Sequence, residues 1–220
     1  MNKYIIERAA DNFCCVSLLS SKAWDKAGIA ELSFTRPESS EKSPKASARL
    51  LYNDKGIFGR FQITGEHVRC AAEKFQDPVC LDSCVEFFVE PAGNRGYINF
   101  EFSGAGVFLC SHITDSRRAP NGFAAFNMLS VDDASGIVSA PTLPRKTDGF
   151  GVPVDWELGF FIPFTVFEKR GFKAPKSGDA WRANFYKCGD KTAFPHWLAW
   201  SPVDELNFHL PRCFGELVFA

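Results

Sequence analysis

The chain has 220 residues, of which 45% are hydrophobic and 23% are charged, as in ordinary soluble globular proteins. Its formal net charge of −1 speaks against a nucleic-acid-binding protein, which usually carries a basic excess, and against attraction to an anionic membrane surface. No stretch approaches the roughly 20 apolar residues of a membrane-spanning helix, so we expect neither nucleic acid nor membrane as a partner.

The first third of the chain predicts mostly strands. The predicted strands here are residues 14–19 (an edge strand), 29–36, 48–52 and 57–63. The last two flank Asn53-Asp54-Lys55-Gly56, which is a strong β-hairpin signal. Residues 23–28 indicate a short helix or turn, and residues 66–75 predict one or two helical turns.

A second hairpin is predicted at the centre of the chain. Residues 84–90 and 97–102 both alternate between apolar and polar side chains, and Pro, Gly and Asn fill the turn between them. A symmetric hairpin places Glu86 opposite Glu101 and Phe88 opposite Asn99. Opposed like charges are destabilising, so the two carboxylates call for a cation, a hydroxyl-rich ligand or a shared proton.

The remaining chain continues the strand pattern. The further predicted strands are residues 106–112, 152–162, 181–187 and 215–219, with Val138 in another. Residues 114–128 predict a loop, 164–170 a short helix, and 189–212 an irregular aromatic segment. Many short strands separated by turns predict an all-β fold, an antiparallel β-sandwich of jelly-roll or immunoglobulin-like type with short helical turns. No interior boundary is visible, so we expect a single domain over residues 1–220.

Eight cysteines are present, and no pair has Cys-x-x-Cys spacing. Cys80 and Cys84 lie four residues apart without a matching second pair, which gives little support to a zinc site. Cys84, Cys110 and Cys188 lie within strand patterns, where a free cysteine behaves as a small hydrophobic residue. The first residues lack the apolar run of a signal peptide, which favours reduced thiols and a cytoplasmic location.

Polar residues that alternate out of phase with the core predict a binding surface. They are Arg60, Gln62, Glu86, Asn99, Glu101, Arg182, Asn184 and Tyr186. On one sheet they would form a floor of planar donors and acceptors suited to sugar hydroxyls, with Arg60 and Arg182 as counterions for the glutamates. A sheet face that is simply solvated predicts the same pattern.

An irregular segment carries two tryptophans, Trp197 and Trp200, beside His196. Loops often supply binding residues, and an indole face is a good platform for a sugar ring. We expect one tryptophan in the core and one available to a ligand. His196 and His209 show no third metal ligand in the sequence, so a metal role is not predicted for them.

Seven blocks in order resemble family 9 carbohydrate-binding modules, most closely the stand-alone family 9-like branch. The blocks are LLYNDKGIFGRFQITGE, DPVCLDSCVEFFVEP, YINFEFSGAGVFL, WELGFFIPF, WRANFYKCGD, PHWLAWSP and FHLPRCFGELVF. The resemblance runs from about residue 20 to 219. It implies a β-sandwich that binds a sugar chain end without cleaving it, and possession of a structural calcium, with no other cofactor required.

The resemblance also assigns residues. In such modules the sugar lies between two aromatic rings, and an acidic residue, here Glu86, contacts its hydroxyls. The C-terminal ring corresponds to Phe214. The other tryptophan is expected just before the DSCVE block, where this chain has Val79-Cys80-Leu81. This departure leaves Trp197 and Trp200 as the alternative stacking residues.

Two other functions remain open. A glycoside hydrolase needs two carboxyl groups, which Glu86 and Glu101 would supply at the separation of about 5 Å typical of retaining enzymes. The third hypothesis is a structural or interaction domain that has kept the sandwich fold and lost its ligand. The sequence favours non-catalytic binding of a mono- or oligosaccharide or a polysaccharide chain end, in connection with polysaccharide breakdown.

Overall fold

Strands dominate the computed structural model, which describes residues 2–10, 13–15, 18–120, 122–147 and 149–220. The strands are β1 Lys3–Arg8, β2 Ala30–Glu31, β3 Phe34–Thr35, β4 Lys45–Asn53, β5 Gly56–Glu66, β6 Cys84–Glu90, β7 Tyr97–Ser103, β8 Phe108–Ala119, β9 Gly122–Met128, β10 Val138–Pro141, β11 Val154–Pro163, β12 Ala180–Cys188, β13 Trp197–Ala199 and β14 Gly215–Phe219. The helix α1 is Phe164–Glu168, and short 3-10 helices span Lys22–Lys26, Val79–Leu81 and Pro211–Cys213.

The strands form two sheets that share β1. The front sheet has the order β14-β12-β6-β7-β8-β9, with β13 and β3 continuing beyond the second half of β12. The back sheet has the order β4-β5-β11-β10, with β2 on the outer edge of β4. The first half of β1 pairs in parallel with β14 and its second half pairs in parallel with β4. All other pairs are antiparallel, so the predicted antiparallel sandwich is confirmed and β1 is its parallel seam.

Aromatic side chains from both sheets fill the space between them. Phe87 of the front sheet stacks on Phe185 of the neighbouring strand at 5.3 Å and on Phe160 of the back sheet at 5.9 Å. Both sheets alternate apolar residues inward, as period-two strands do. The apolar phase of the two alternating segments 84–90 and 97–102 is fully buried in this core: Val85, Phe87, Val89, Ile98, Phe100 and Phe102.

A buried ion pair crosses the sandwich. The Lys187 ammonium on β12 donates to the Glu66 carboxylate at the end of β5, at 2.8 Å. The Trp156 indole donates to the same carboxylate at 2.7 Å, and the imidazole of His196 lies 2.8 Å from the Lys187 ammonium. Each polar group has a partner, which a buried charge requires.

Each sheet also has a covered outer face. A segment that we call the cover, residues 201–214, packs through Phe208 and Phe214 onto the outer face of the front sheet. Phe13 and Trp24 pack onto Phe58 on the outer face of the back sheet. The sandwich therefore has a central core and two smaller apolar clusters outside it.

Most predicted strands are observed, and β14 matches its predicted range. Two predictions are wrong: residues 66–75 hold no helical turn, and the predicted loop at 114–128 is the outer half of β8 followed by β9. The strand β1 was missed, and the predicted strand 29–36 divides into β2 and β3. The predicted edge strand at 14–19 includes positions 16 and 17, which lie outside the described residues. Within the described part, no helix is long and apolar enough to cross a membrane.

Candidate functional site

Two carboxyl groups face each other on the outer side of the front sheet. Glu86 on β6 pairs directly with Glu101 on β7, and Phe88 pairs with Asn99, as the hairpin pattern predicts. The expectation of an open, wet face is wrong, because Glu86 is only 3% exposed and Glu101 only 6%. The cover encloses them.

Two of the polar residues that the sequence predicts on this face, Asn184 and Tyr186, bind the cover to the sheet. The amide nitrogen of Asn184 donates to the Ser201 carbonyl at 2.9 Å, and its oxygen accepts from the Ser201 N–H at 2.9 Å. The Tyr186 ring stacks on Phe208 with centroids 4.1 Å apart, and its hydroxyl donates to the Phe208 carbonyl. Asn184 and Tyr186 are fully buried, so they support the site from below.

A cavity of about 370 Å³ remains between the sheet and the cover. Glu86, Glu101 and Cys188 are on its sheet side, and residues 206–209 of the cover face them. Its remaining lining residues are Cys80, Arg118, Asp190 and Trp197. The structure therefore brings three of the sequence-predicted site residues together in one cavity: Glu86, Glu101 and Trp197.

Burial changes the acidity of the carboxyl pair. The pKa of Glu101 is raised to about 7 by burial, although the hydrogen bond from the Asn99 amide at 2.6 Å opposes the shift. The pKa of Glu86 is raised well above its usual range by burial and by repulsion from Glu101. At neutral pH the pair therefore retains a proton, which resolves the electrostatic conflict and provides a carboxyl donor beside an acceptor.

The flanking groups are held in place by hydrogen bonds. Trp197 donates from its indole N–H to the Asp190 carboxylate at 2.8 Å. His209 bonds to the Tyr97 hydroxyl at 2.8 Å, and burial lowers its pKa to about 3, so the imidazole is neutral. Arg118, at the exposed edge, donates to the Asn207 amide oxygen at 3.0 Å. The cavity thus combines fixed donors and acceptors with aromatic surface.

Other predicted site residues lie elsewhere. Arg60 belongs to the back sheet and pairs with Glu157 at 2.8 Å, so its predicted role as a counterion of Glu86 is wrong. Arg182 is on the correct face, but it pairs with Glu90 at 3.0 Å instead. Asn99 lies beneath the cavity, where it positions Glu101.

The aromatic expectations divide in the same way. Trp200 packs edge-on against Tyr4 and Phe185 in the core, whereas Trp197 lines the cavity, as the expectation of one core and one available tryptophan requires. Phe214 is fully buried against Tyr97 and Phe88. A buried ring has no free face, so Phe214 offers no stacking wall in this structure.

Sequence reasoning missed Arg118, Asp190 and the cover residues 206–209. Arg118 lies on a strand that was predicted as a loop, and Asp190 follows the end of β12. His209 was considered only as a metal ligand. Asp190 and the cover residues carry no periodic signal, because they reach the cavity from irregular backbone. Arg118 lies on a strand segment that is almost entirely polar and shows no apolar alternation.

The sequence profile of carbohydrate-binding family 9 matches residues 17–219. The chain belongs to carbohydrate-binding family 9. Among curated protein sequences, no match is found. The family 9 assignment confirms the resemblance that the seven sequence blocks indicate.

Solved structures support the family 9 fold. A candidate carbohydrate-binding protein from Bacteroides uniformis ATCC 8492 is 25% identical, with a TM-score of 0.81, and the match covers 99% of both chains. A family 9 module from Caldicellulosiruptor kristjanssonii in complex with glucose is 9% identical, with a TM-score of 0.67, over 100% of this chain and 96% of that one. A cellotriose complex of a family 9 module from the same organism is also 9% identical, with a TM-score of 0.64, over 99% and 93%.

The family resemblance implies a structural calcium, which would need several oxygen ligands close together. Among the described residues, the side chains of one group of three or more His, Cys, Asp or Glu come close enough to hold an ion: Cys84, Glu86 and Cys188. Calcium takes six to eight oxygen ligands, and thiols are not among them. This group therefore does not fit calcium.

Proposed function

We propose that the chain binds a carbohydrate without cleaving it, in the cavity between the front sheet and the cover. The observation that carries the proposal is the opposed pair of Glu86 and Glu101 at the floor of a cavity of about 370 Å³. Membership of a carbohydrate-binding family, and neighbours in complex with glucose and cellotriose, support the ligand class.

The carboxyl pair suits a polyhydroxyl ligand. A sugar hydroxyl is both donor and acceptor, so it pairs best with a site that offers both. A pair that retains one proton does so, and Asn99 fixes the orientation of Glu101 by a hydrogen bond at 2.6 Å. Buried polar groups also favour ligands that satisfy them, since an unpaired buried group is costly. This gives selectivity for a hydroxyl over an apolar substituent.

The size of the cavity suits a short ligand. A volume of about 370 Å³ is near the lower end of the range of about 300–1,000 Å³ for small-molecule sites. Trp197 and Phe208 supply aromatic surface at the edge of this volume. We therefore expect the site to take a monosaccharide or the end residue of a longer chain.

Cleavage is not expected from this arrangement. Glycosidases use two carboxyl groups that flank the scissile bond, one as acid and one as nucleophile or base. Glu86 and Glu101 are neighbours on one sheet face, so both approach the ligand from the same side.

Isothermal titration calorimetry tests the proposal. Glucose, xylose and their β-1,4-linked oligosaccharides are titrated into the native chain and into the Glu86→Ala and Glu101→Ala variants. We expect binding to at least one sugar, with a loss of affinity of about tenfold or more in each variant, because each removes a hydrogen-bonding group. Glu157→Ala is the control, since Glu157 pairs with Arg60 on the other sheet.

The same proteins distinguish the alternative functions. If the native chain releases reducing sugar and Glu101→Gln abolishes that release, the function is glycoside hydrolysis and not non-catalytic binding. Absence of binding to the whole panel would instead favour an interaction domain that has lost its ligand.

A further inference from the structure

Two cysteines and a glutamate meet beside the cavity, and two of the three, Glu86 and Cys188, line it. Cys84 on β6 and Cys188 on β12 are directly paired in the strand register. The Sγ atom of Cys188 lies 3.1 Å from the nearer Glu86 carboxyl oxygen, and the Sγ atom of Cys84 lies 4.0 Å from it. The ligand atoms of all three residues lie within 4.8 Å of one another, and all three side chains are buried.

These separations suit a tetrahedral metal site. Zinc binds sulfur at about 2.3 Å and carboxylate oxygen at about 2.0–2.2 Å, which places neighbouring ligand atoms about 3.5–3.8 Å apart. The observed separations lie on both sides of these values, so small rotations of the side chains would bring the atoms into place. The strand pairing fixes the backbone on which they stand.

Two basic residues lie near the group, and each has another partner. Lys187 is adjacent to Cys188 in sequence, but its ammonium turns into the sandwich and contacts Glu66 at 2.8 Å. Arg118 is at the exposed edge, where it lies over the Phe123 ring.

We propose that Cys84, Cys188 and Glu86 form a binding site for a thiophilic divalent cation, with Zn²⁺ as the ion of best fit. Binding displaces the two thiol protons and the carboxyl proton of Glu86 to solvent, and it leaves two thiolates and a carboxylate as ligands. In the part of the chain that the structure describes, no fourth His, Cys, Asp or Glu joins the group. The fourth coordination position faces the cavity, where water or a ligand hydroxyl would fill it.

The site follows from strand pairing and not from a sequence motif. Cys84 and Cys188 come from distant parts of the chain, and only the pairing of β6 with β12 makes them neighbours. Cys84 and Glu86 are two residues apart on one strand, so they share a face. The inference does not rest on the proposed sugar binding, because all three protein ligands come from the chain itself.

Metal titration of the reduced, metal-free protein tests the proposal. The exposed Cys14 and the partly exposed Cys15 are first replaced by serine, so that they do not contribute surface binding. Zn²⁺ is titrated in competition with a chromophoric chelator, and Co²⁺ is added separately to detect a thiolate-to-cobalt charge-transfer band. We expect one ion per chain and a clear charge-transfer band, without any sugar present.

Variants then locate the ion. Cys84→Ser and Cys188→Ser should each lower zinc affinity about a hundredfold or more, because a hydroxyl is a poor substitute for a thiolate. Cys213→Ser, which changes a partly buried cysteine outside the group, should leave zinc affinity unchanged. No binding with one-to-one stoichiometry, no cobalt charge-transfer band, or binding that survives both cavity substitutions would overturn the proposal. If these variants fail to fold, the absence of a cobalt charge-transfer band from the protein with Cys84 and Cys188 intact still overturns the proposal.

Sugar calorimetry on the metal-free and zinc-loaded proteins separates this inference from the proposed function. If the chain binds sugar but does not bind zinc, the metal proposal alone is overturned. Retained zinc binding without sugar binding overturns the carbohydrate proposal alone.

Discussion

The ammonium of Lys187 on the front sheet donates to the carboxylate of Glu66 on the back sheet at 2.8 Å, with both side chains fully buried. The same ammonium donates to the Cys188 carbonyl at 2.7 Å and lies 2.8 Å from the Nε2 atom of His196. All three ammonium protons therefore have an acceptor, which assigns the Nδ1 proton of His196 to its bond with the Phe194 carbonyl.

Lys187→Met should strongly destabilise the fold. Removing one partner of a buried ion pair leaves the other charge uncompensated, which typically costs about 3–5 kcal/mol of unfolding free energy. Urea denaturation followed by circular dichroism measures the change. The double variant Lys187→Met/Glu66→Gln should recover part of the loss, since it leaves no buried charge. A double variant no more stable than the single one would show that the ion pair is not the cause.

His196 should make stability depend on acidity. Burial and the neighbouring Lys187 ammonium lower its pKa from 6.5 to about 2, so the folded state keeps it neutral while the unfolded state takes up a proton below pH 6.5. The contribution of His196 to the free energy of unfolding is therefore complete above pH 6.5. It declines as the pH falls below that value, by up to about 1.4 kcal/mol per pH unit.

His196→Gln tests this dependence. We expect the variant to be less stable than the native chain at pH 7, with a gap that narrows as the pH is lowered from 6 to 4. Denaturation curves of both proteins at matched pH values give the difference in free energy of unfolding. Taking this difference removes the contribution of other titrating groups. A gap that stays constant with pH would contradict the assignment of a neutral buried imidazole.

Asn184→Ala should loosen the cover without touching a ligand. It removes two hydrogen bonds to Ser201 and one to the Phe185 N–H, all in a fully buried position. We expect a loss of about 3 kcal/mol of unfolding free energy and faster amide exchange across residues 201–210, because the buried partners are left unsatisfied. Asn127→Ala, at an exposed position on β9, is the control and should change neither quantity.

Trp197→Ala should weaken sugar binding while Trp197→Phe preserves part of it. The indole lines the cavity and donates to Asp190 at 2.8 Å, so alanine removes both surface and anchor, whereas phenylalanine keeps an aromatic face. We expect an affinity loss of about ten- to a hundredfold for alanine, measured by calorimetry. If the native chain and both variants bind sugar with equal affinity, the ligand does not contact Trp197.

The strand pairs were predictable where alternation is strong and the turn is short. The hairpin of β6 and β7 carries its register in its own sequence, and so the opposition of Glu86 and Glu101 follows from residues 84–102 alone. The outer half of β8 was not predictable, because TDSRRA is polar throughout and its side chains are mostly solvated. β1 was missed because its pairing depends on distant strands and not on its own pattern.

The burial of the carboxyl pair was beyond local reasoning. Alternation tells which side of a sheet a residue faces, but it does not tell whether another segment covers that side. The cover is irregular, and the Tyr186–Phe208 stack that seats it joins residues without a shared pattern. The same limit explains Cys84 and Cys188, whose proximity exists only once β6 pairs with β12.

The seam formed by β1 has a consequence for the order in which the native state is assembled. Its register places Lys3 beside Glu216 and Glu7 beside Leu51, so one six-residue strand connects the latest strand of the chain to one of the earliest. Contacts between segments far apart in sequence form slowly, since a long loop must close first. During synthesis the hairpin of β4 and β5 can therefore form early, whereas the joint between the sheets waits for the last strand to emerge.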